Sequence, residues 1–284
     1  MSLYKKLTEP RIWRRIFYER LTEPIHLNII SLFVAAFGSF ERKVEFDLVL
    51  RAPYAFGVLS AAQRARRYGI KEITVIEFGV SSGAGLMNMS ALADQAERAT
   101  GVKINVVGFD SGAGMPEPVD YRDHPDMYVH GDFPMEFDKL RQKLPACTQL
   151  VLGDVAKTVP AFLEELTAPV GFVVLDLDYY SSTKAAMRIF DGAPEKYLPL
   201  VSIYVDDIYS DLHNSWCGEL LAIEEFNIEQ PMRKFERFAL LENTRIFKRA
   251  NWLKHMFGLH VLDHSARAVQ NLGRTKVVHA NPFM

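Results

Sequence analysis

Cysteine is nearly missing from this chain: its 284 residues include two, Cys147 and Cys217. Their separation fits neither a zinc-ligand spacing nor a disulfide framework, which excludes a stapled secreted scaffold and makes a reducing cytoplasm the expected compartment. An excess of one charge is missing too. Lys and Arg number 33 against 35 Asp and Glu, a net charge of −2, so there is no electrostatic footprint for nucleic acid. Long apolar runs are also absent. Residues 25–38 form the longest, but His26, Asn28 and Ser31 interrupt it, and it falls short of the roughly 20 apolar residues that span a bilayer. The opening Met1-Ser2-Leu3-Tyr4-Lys5-Lys6 lacks an apolar signal core, and Ser2 stands where myristoylation requires glycine, so no targeting segment is expected. What remains is 49% hydrophobic and 24% charged residues, enough to bury a sizeable core in one large domain, with or without an appendage.

The stretch around which the chain is organised is Val75-Ile76-Glu77-Phe78-Gly79-Val80-Ser81-Ser82-Gly83-Ala84-Gly85. An apolar β-branched run ends abruptly in glycines, and residues 86–99 follow with apolar positions at helical spacing. This is the strand, tight turn and helix that open a nucleotide-binding α/β unit. The spacing excludes two phosphate-binding readings. Counting from Gly83, a dinucleotide fingerprint needs its third glycine at Asn88, and a P-loop needs Lys-Ser or Lys-Thr where Leu86-Met87 stands. Glu77-x-Gly79-x-x-x-Gly83-x-Gly85 resembles motif I of the class I S-adenosylmethionine (SAM) methyltransferases. That resemblance implies Glu77 on the ligand's ammonium group and Gly79, Ser81, Gly83 and Gly85 around its methionine part. The competing reading is an ordinary strand-to-helix turn that needs glycine.

Before this unit, residues 1–70 read as a helical N-terminal extension, a lid or a dimerisation surface. Leu7-Thr8-Glu9-Pro10 recurs as Leu21-Thr22-Glu23-Pro24, each copy marking a helix start rather than a repeat protein. Between them Arg11, Arg14, Arg15 and Arg20 alternate with apolar and aromatic residues. A helix packed on the core explains that pattern best, with peripheral membrane contact through residues 11–20 as the alternative. From Lys71 strands and helices alternate. The strand at 104–109 ends in Asp110, placed for a ribose diol, with Ser111 beside it, or else for a turn. Residues 111–147 form a long polar loop carrying His124 and His130, of the kind that serves as a lid. The strand at 149–152 leads to Asp154, which caps the next helix or, as the resemblance to class I methyltransferases implies, faces the adenine of a bound nucleoside.

The strongest chemical signal lies further on. The apolar strand at 171–175 runs into Asp176-Leu177-Asp178-Tyr179-Tyr180-Ser181-Ser182-Thr183, and the strand at 200–205 runs into Asp206-Asp207-Ile208. Four carboxylates at the carboxyl ends of buried strands repel one another unless protonated or bound to a cation. With oxygen ligands alone the cation is hard: Mg²⁺, with Mn²⁺ or Ca²⁺ as alternatives. Residues 238–241 and 244–249 read as a terminal antiparallel pair, and 251–284 as a tail packing on the core.

Five βα steps closing with a hairpin form the class I methyltransferase layout, a doubly wound, Rossmann-like, seven-stranded α/β sheet, expected over residues 71–250. The two acidic motifs resemble the Asp-Gly-Asp-x-Tyr-x-Ser-Thr and Asp-Asp-Tyr motifs of the macrocin O-methyltransferases, metal-dependent enzymes that methylate sugar hydroxyls. The resemblance covers roughly residues 72–250 and departs from that family at Leu177 and in the first glycine loop. It implies Asp178, Asp206 and Asp207 as metal ligands, Asp178 as general base, SAM and Mg²⁺ as cofactors, and a small-molecule acceptor with a sugar hydroxyl. His130 is a further catalytic candidate. A homo-oligomer is expected. Two other readings stay open: a metal-dependent glycosyltransferase using Asp176-Leu177-Asp178 as an Asp-x-Asp motif, and a non-catalytic binding module on the same fold.

Overall fold

The apolar, β-branched runs all enter one sheet. The computed structural model describes residues 16–145, 147–208 and 212–268. Its strands are β1 (Glu72–Phe78), β2 (Lys103–Asp110), β3 (Thr148–Leu152), β4 (Val170–Leu175), β5 (Tyr197–Val205), β6 (Arg233–Arg237) and β7 (Met256–Val261), in spatial order β3-β2-β1-β4-β5-β7-β6. The first five strands run parallel, and β7 lies antiparallel between β5 and β6. All of β4 and all but the first residue of β1 are buried, as expected of parallel strands covered on both faces. The expected doubly wound, seven-stranded α/β sheet is therefore present.

Nine α-helices are described: α1 (Ile25–Phe37), α2 (Phe40–Glu45), α3 (Ala52–Arg67), α4 (Ala84–Thr100), α5 (Phe137–Arg141), α6 (Val155–Glu165), α7 (Tyr180–Ala186), α8 (Gly218–Glu229) and α9 (Leu241–Thr244). Strand alternation sorts the core. Ile73, Val75, Phe172 and Val174 point to the face covered by α3 and α4, while Ile76, Phe78, Val173 and Leu175 point to the face covered by α6, α7 and α8. Helix α3 packs so closely on β4 that a Cβ on Gly57 would lie 2.2 Å from the Phe172 ring. The C-terminal part of the 1–70 segment is thus a layer of the α/β domain itself.

The segment's other end behaves differently. Helix α1 has no Asp, Glu, Lys or Arg, and Ile25, Ile29, Leu32, Phe33 and Phe37 are all more than half exposed. Among the described residues no helix is long and apolar enough to cross a membrane. Arg11, Arg14 and Arg15 of the basic stretch lie outside the described residues.

The terminal antiparallel pair is displaced from its expected place. It is formed by β6 and β7, not by residues 238–241 and 244–249, where the chain turns through α9. Gly258 allows this: a Cβ there would come within 2.5 Å of the Phe238 ring, which lies over β7 instead of entering a strand. Because β7 is an integral strand, the sheet extends past the expected boundary at residue 250.

A buried ion pair ties the segment between α2 and α3 to the segment between β6 and β7. Arg245 donates to the Asp47 carboxylate at 2.6 Å and to the carbonyls of Val44 and Glu45, with both side chains almost fully enclosed. Burial raises the Asp47 pKa and Arg245 pulls it back. Replacing Arg245 with Met leaves that buried carboxylate without its ion-pair partner, with Trp252 and the Arg20 charge still acting on it, an expected loss of about 3–5 kcal/mol. Denaturant unfolding of Arg245→Met against the wild type measures it; a loss below ~1 kcal/mol would show that the pair is not needed.

Candidate active site

Period-two alternation explains why the acids meet. Glu77 follows Ile73 and Val75 on the α3 face of β1. Asp176 lies two residues beyond Val174 of β4, and Asp206 two beyond Tyr204 of β5, on that same face. The register aligns Glu77 with Val174 and Val174 with Tyr204, so the three strand ends stop side by side. The sheet order reverses between β1 and β4, and the crevice outside the carboxyl ends at such a point is where open α/β sheets take ligands. A cavity of about 530 Å³ occupies it.

Two aromatic hydroxyls hold the acids in place. Tyr54 of α3 donates to Glu77 Oε1 at 2.7 Å, and Tyr204 donates to Asp206 Oδ1 at 2.6 Å. The two rings meet edge to face at 5.8 Å, and Tyr204 stacks on His255. Glu77 is 2% exposed, and its second oxygen, Oε2, has no hydrogen-bond partner. Burial pushes its pKa up to about 7 against the opposing Tyr54 hydrogen bond and Arg51 charge.

The glycines make these approaches possible. A Cβ on Gly85 would sit 1.8 Å from Glu77 Oε1, and one on Gly79 would sit 1.7 Å from the Asp176 carbonyl oxygen. The loop therefore keeps glycine partly for its own carboxylate. Gly83, at φ +79°, precedes α4 and faces Leu140 rather than the cavity.

Asp176, Asp206 and Asp207 each offer an oxygen within 4.8 Å of the others'. Strand β5 ends at Val205, which frees Asp206 and Asp207 from pointing to opposite faces. Asp178, expected from sequence as the third ligand, is not in that group, where Asp176 stands instead; at φ +59° it pairs with the Tyr128 hydroxyl and with Asp207. Beneath them Glu219, 1% exposed, accepts from the Leu177 N–H at 3.2 Å and the Asp207 N–H at 3.1 Å, joining the two acidic loops. Burial, then mutual repulsion, holds the pKa values of Asp176, Asp207 and Glu219 well above the carboxylate range; burial raises that of Asp178 also. Asp207 Oδ2 is buried without a partner. An all-oxygen donor set under this strain fits a hard divalent cation.

The other residues singled out in the sequence are placed as follows. Asp110 lines the cavity, but its carboxylate accepts from the Val80, Ser81 and Gly112 N–H groups at 2.9, 2.8 and 2.6 Å, so it first of all clamps the glycine loop. Ser111 and Ser81 line the cavity as well; Ser111 donates to the Gly114 carbonyl. Asp154 lines it while capping α6 through the Ala156 N–H. Gly83 and His130 are not in the lining, and His130 is exposed on the long loop. That loop covers the cavity with Gly114, Met115, Tyr128 and Phe133. Buried Asp123 anchors it by accepting from Ser181 N and Oγ, both at 2.8 Å. His124, also buried, meets the His213 ring at 5.6 Å.

Tyr54, Tyr128, Tyr204, Glu219 and Arg51 were not among the candidates from sequence. The tyrosines and Glu219 carry no motif; strand parity before Asp206 is the one signal that singles out Tyr204. Asp176 was visible as the first acid of its motif.

Comparison with solved structures gives distant likenesses. CalS11, a calicheamicin methyltransferase, matches at 20% identity and TM-score 0.49 over 80% of this chain and 86% of that one. An O-methyltransferase from Bacillus cereus in complex with S-adenosylhomocysteine (SAH) matches at 11% and 0.38, over 81% and 96%. The plantazolicin methyltransferase BamL matches at 10% and 0.38, over 88% and 94%. No family model matches the chain, and no curated protein matches it. Likeness at this distance does not bear on ligand or substrate.

The buried acids make the free protein sensitive to pH. A carboxyl whose folded pKa is raised stabilises the fold while protonated, below its unfolded value near 4.5, and loses that contribution as pH rises through 7. For Glu77 the shift corresponds to roughly 3 kcal/mol. Metal-free protein should therefore lose stability between pH 5 and 8, and Glu77→Gln should flatten part of that slope. Denaturant midpoints across this range test it; a wild-type stability that rises with pH would reverse the sign.

Proposed function

We propose that this chain is a SAM-dependent, divalent-metal-assisted O-methyltransferase acting on a hydroxyl of a sugar or glycosylated small molecule. The supporting observation is one cavity lined both by Glu77, whose Oε2 is buried without a partner, and by the acid group Asp176, Asp206 and Asp207. An ammonium suits the first, a hard cation the second. Bound SAM would supply an electrophilic methyl group on a sulfonium, and the cation would supply the positive charge that orients an acceptor hydroxyl and lowers its pKa.

The chain's own residues do the rest. Glu77 and the 79–85 loop seat the amino-acid end, with Asp110 fixing the loop by its three backbone hydrogen bonds. Asp176, Asp206 and Asp207 hold the cation, while Asp178, backed by Tyr128, is the carboxylate placed to take the acceptor proton. The long loop carrying Met115 and Phe133 keeps water from the reacting groups. A sugar hydroxyl is a poor acid, and methyl transfer is an in-line displacement that needs an aligned, deprotonated oxygen; this donor set meets both demands. The glycosyltransferase reading uses Asp176 and Asp178 but gives Glu77 no role. The partners in our reading are a small-molecule acceptor and a second copy of the chain, with the uncovered face of α1 available to the latter, in the cytoplasm.

Calorimetry should detect SAH binding to the wild type. Once an acceptor is found, chelator should stop turnover while SAH affinity stays within about twofold, because separate residues hold the two groups. Asp206→Asn should need more Mg²⁺ for turnover, and Asp178→Asn should lower kcat on the order of 100-fold. Binding of a nucleotide sugar with no response to SAM or SAH would overturn the reading, and full turnover in chelator would remove the metal from it.

A further inference from the structure

The lining of the cavity is strongly acidic, yet it contains one permanent cation, Arg51. Among the described residues its guanidinium makes no hydrogen bond or ion pair; its recorded contact is with the Tyr54 ring, whose centroid lies 5.2 Å from Cζ. Arg51 sits at the start of α3 with φ +53°, a left-handed conformation that is unfavourable for a non-glycine residue and clusters at ligand sites. The same tyrosine donates its hydroxyl to Glu77 Oε1 at 2.7 Å, leaving Oε2 buried and unpartnered. One ring therefore has an uncommitted guanidinium beside it and an uncommitted carboxylate oxygen at its hydroxyl end.

We propose that Arg51 is the carboxylate-binding residue of this cavity, and that Arg51 and Glu77 together recognise the zwitterionic end of an α-amino acid. The inference rests on the SAM reading and deepens it by assigning the ligand's carboxylate. An α-amino acid carries its ammonium and carboxylate on a single carbon, so a site for it needs opposite charges a short distance apart. Glu77 and Arg51 supply both. Arginine suits the task because its planar fork meets a carboxylate through two parallel N–H bonds. Arg51 lines the same cavity as Glu77, Asp176 and the glycine loop, and its charge acts on both acids. An anionic group on the acceptor is the competing occupant.

The test is calorimetry of wild type, Arg51→Gln and Arg51→Lys with two probes: SAH, which carries the amino-acid end, and methylthioadenosine, which lacks it. Gln is uncharged at this position and strains the backbone no more than Arg. Expected is a loss of about 10- to 100-fold in SAH affinity for Arg51→Gln, a smaller loss for Arg51→Lys, and unchanged methylthioadenosine affinity. Thermal midpoints equal to the wild type's would show the variants folded. Unchanged SAH affinity in Arg51→Gln overturns the assignment and leaves Arg51 to the acceptor, and so does an equal loss for both probes. A wild type that binds neither probe overturns the SAM reading itself, a separate result from either.

Discussion

Repulsion among carboxylates at the end of a sheet is the constraint on which the rest of this structure depends. Glu77, Asp176 and Asp206 come from three adjacent strands and share a face because each continues the parity of its strand. Asp178, Asp207 and Glu219 crowd in from the loops and from α8. A chain that wanted only stability would place apolar groups there, since burying charge costs far more than it returns without compensation. Here compensation is partial: tyrosine hydroxyls for Glu77 and Asp206, two backbone N–H groups for Glu219, and no partner for one oxygen each of Glu77 and Asp207. That deficit is the basis for proposing cationic ligands in the cavity.

The surrounding elements can be understood as a frame for that deficit. Asp110 uses its carboxylate to stiffen the loop between β1 and α4, and Asp123 pins the long loop to the start of α7. Helix α3 contributes Tyr54 at one level and, deeper, Arg64, which donates to the Leu200 carbonyl and the Ser202 hydroxyl of β5. The helix preceding the first strand is thereby fastened to both halves of the sheet, and the groups it presents to the cavity are fixed relative to the strand ends.

Much of this was legible in the sequence because buried parallel strands are continuous apolar runs and their ends are abrupt. The strands expected at 171–175 and 200–205, which the structure shows as 170–175 and 197–205, and the acids after them followed from that contrast. Less visible was anything set by contacts between distant residues. Tyr54 lies in an ordinary amphipathic helix, and nothing local says its hydroxyl meets Glu77. The terminal pair was misplaced because residues 238–249 have strand-like composition, while Gly258, which weakens a strand on propensity, is what lets Phe238 pack over β7. Asp110 and Asp154 each had two readings from sequence, and the structure shows how one residue serves as cap or clamp and still borders the cavity.

The close approach between Gly85 and Glu77 has a consequence for how such a chain can diverge. With 1.8 Å between a would-be Cβ and the carboxylate oxygen, the two positions are not independent characters. A lineage that acquires a side chain at 85 must shift or shorten the acid at 77, and one that keeps the carboxylate where it is keeps glycine at 85. A change at either position alters what the other can carry. Among descendants of this chain, residues 77 and 85 should covary as a unit while the surface around them drifts freely.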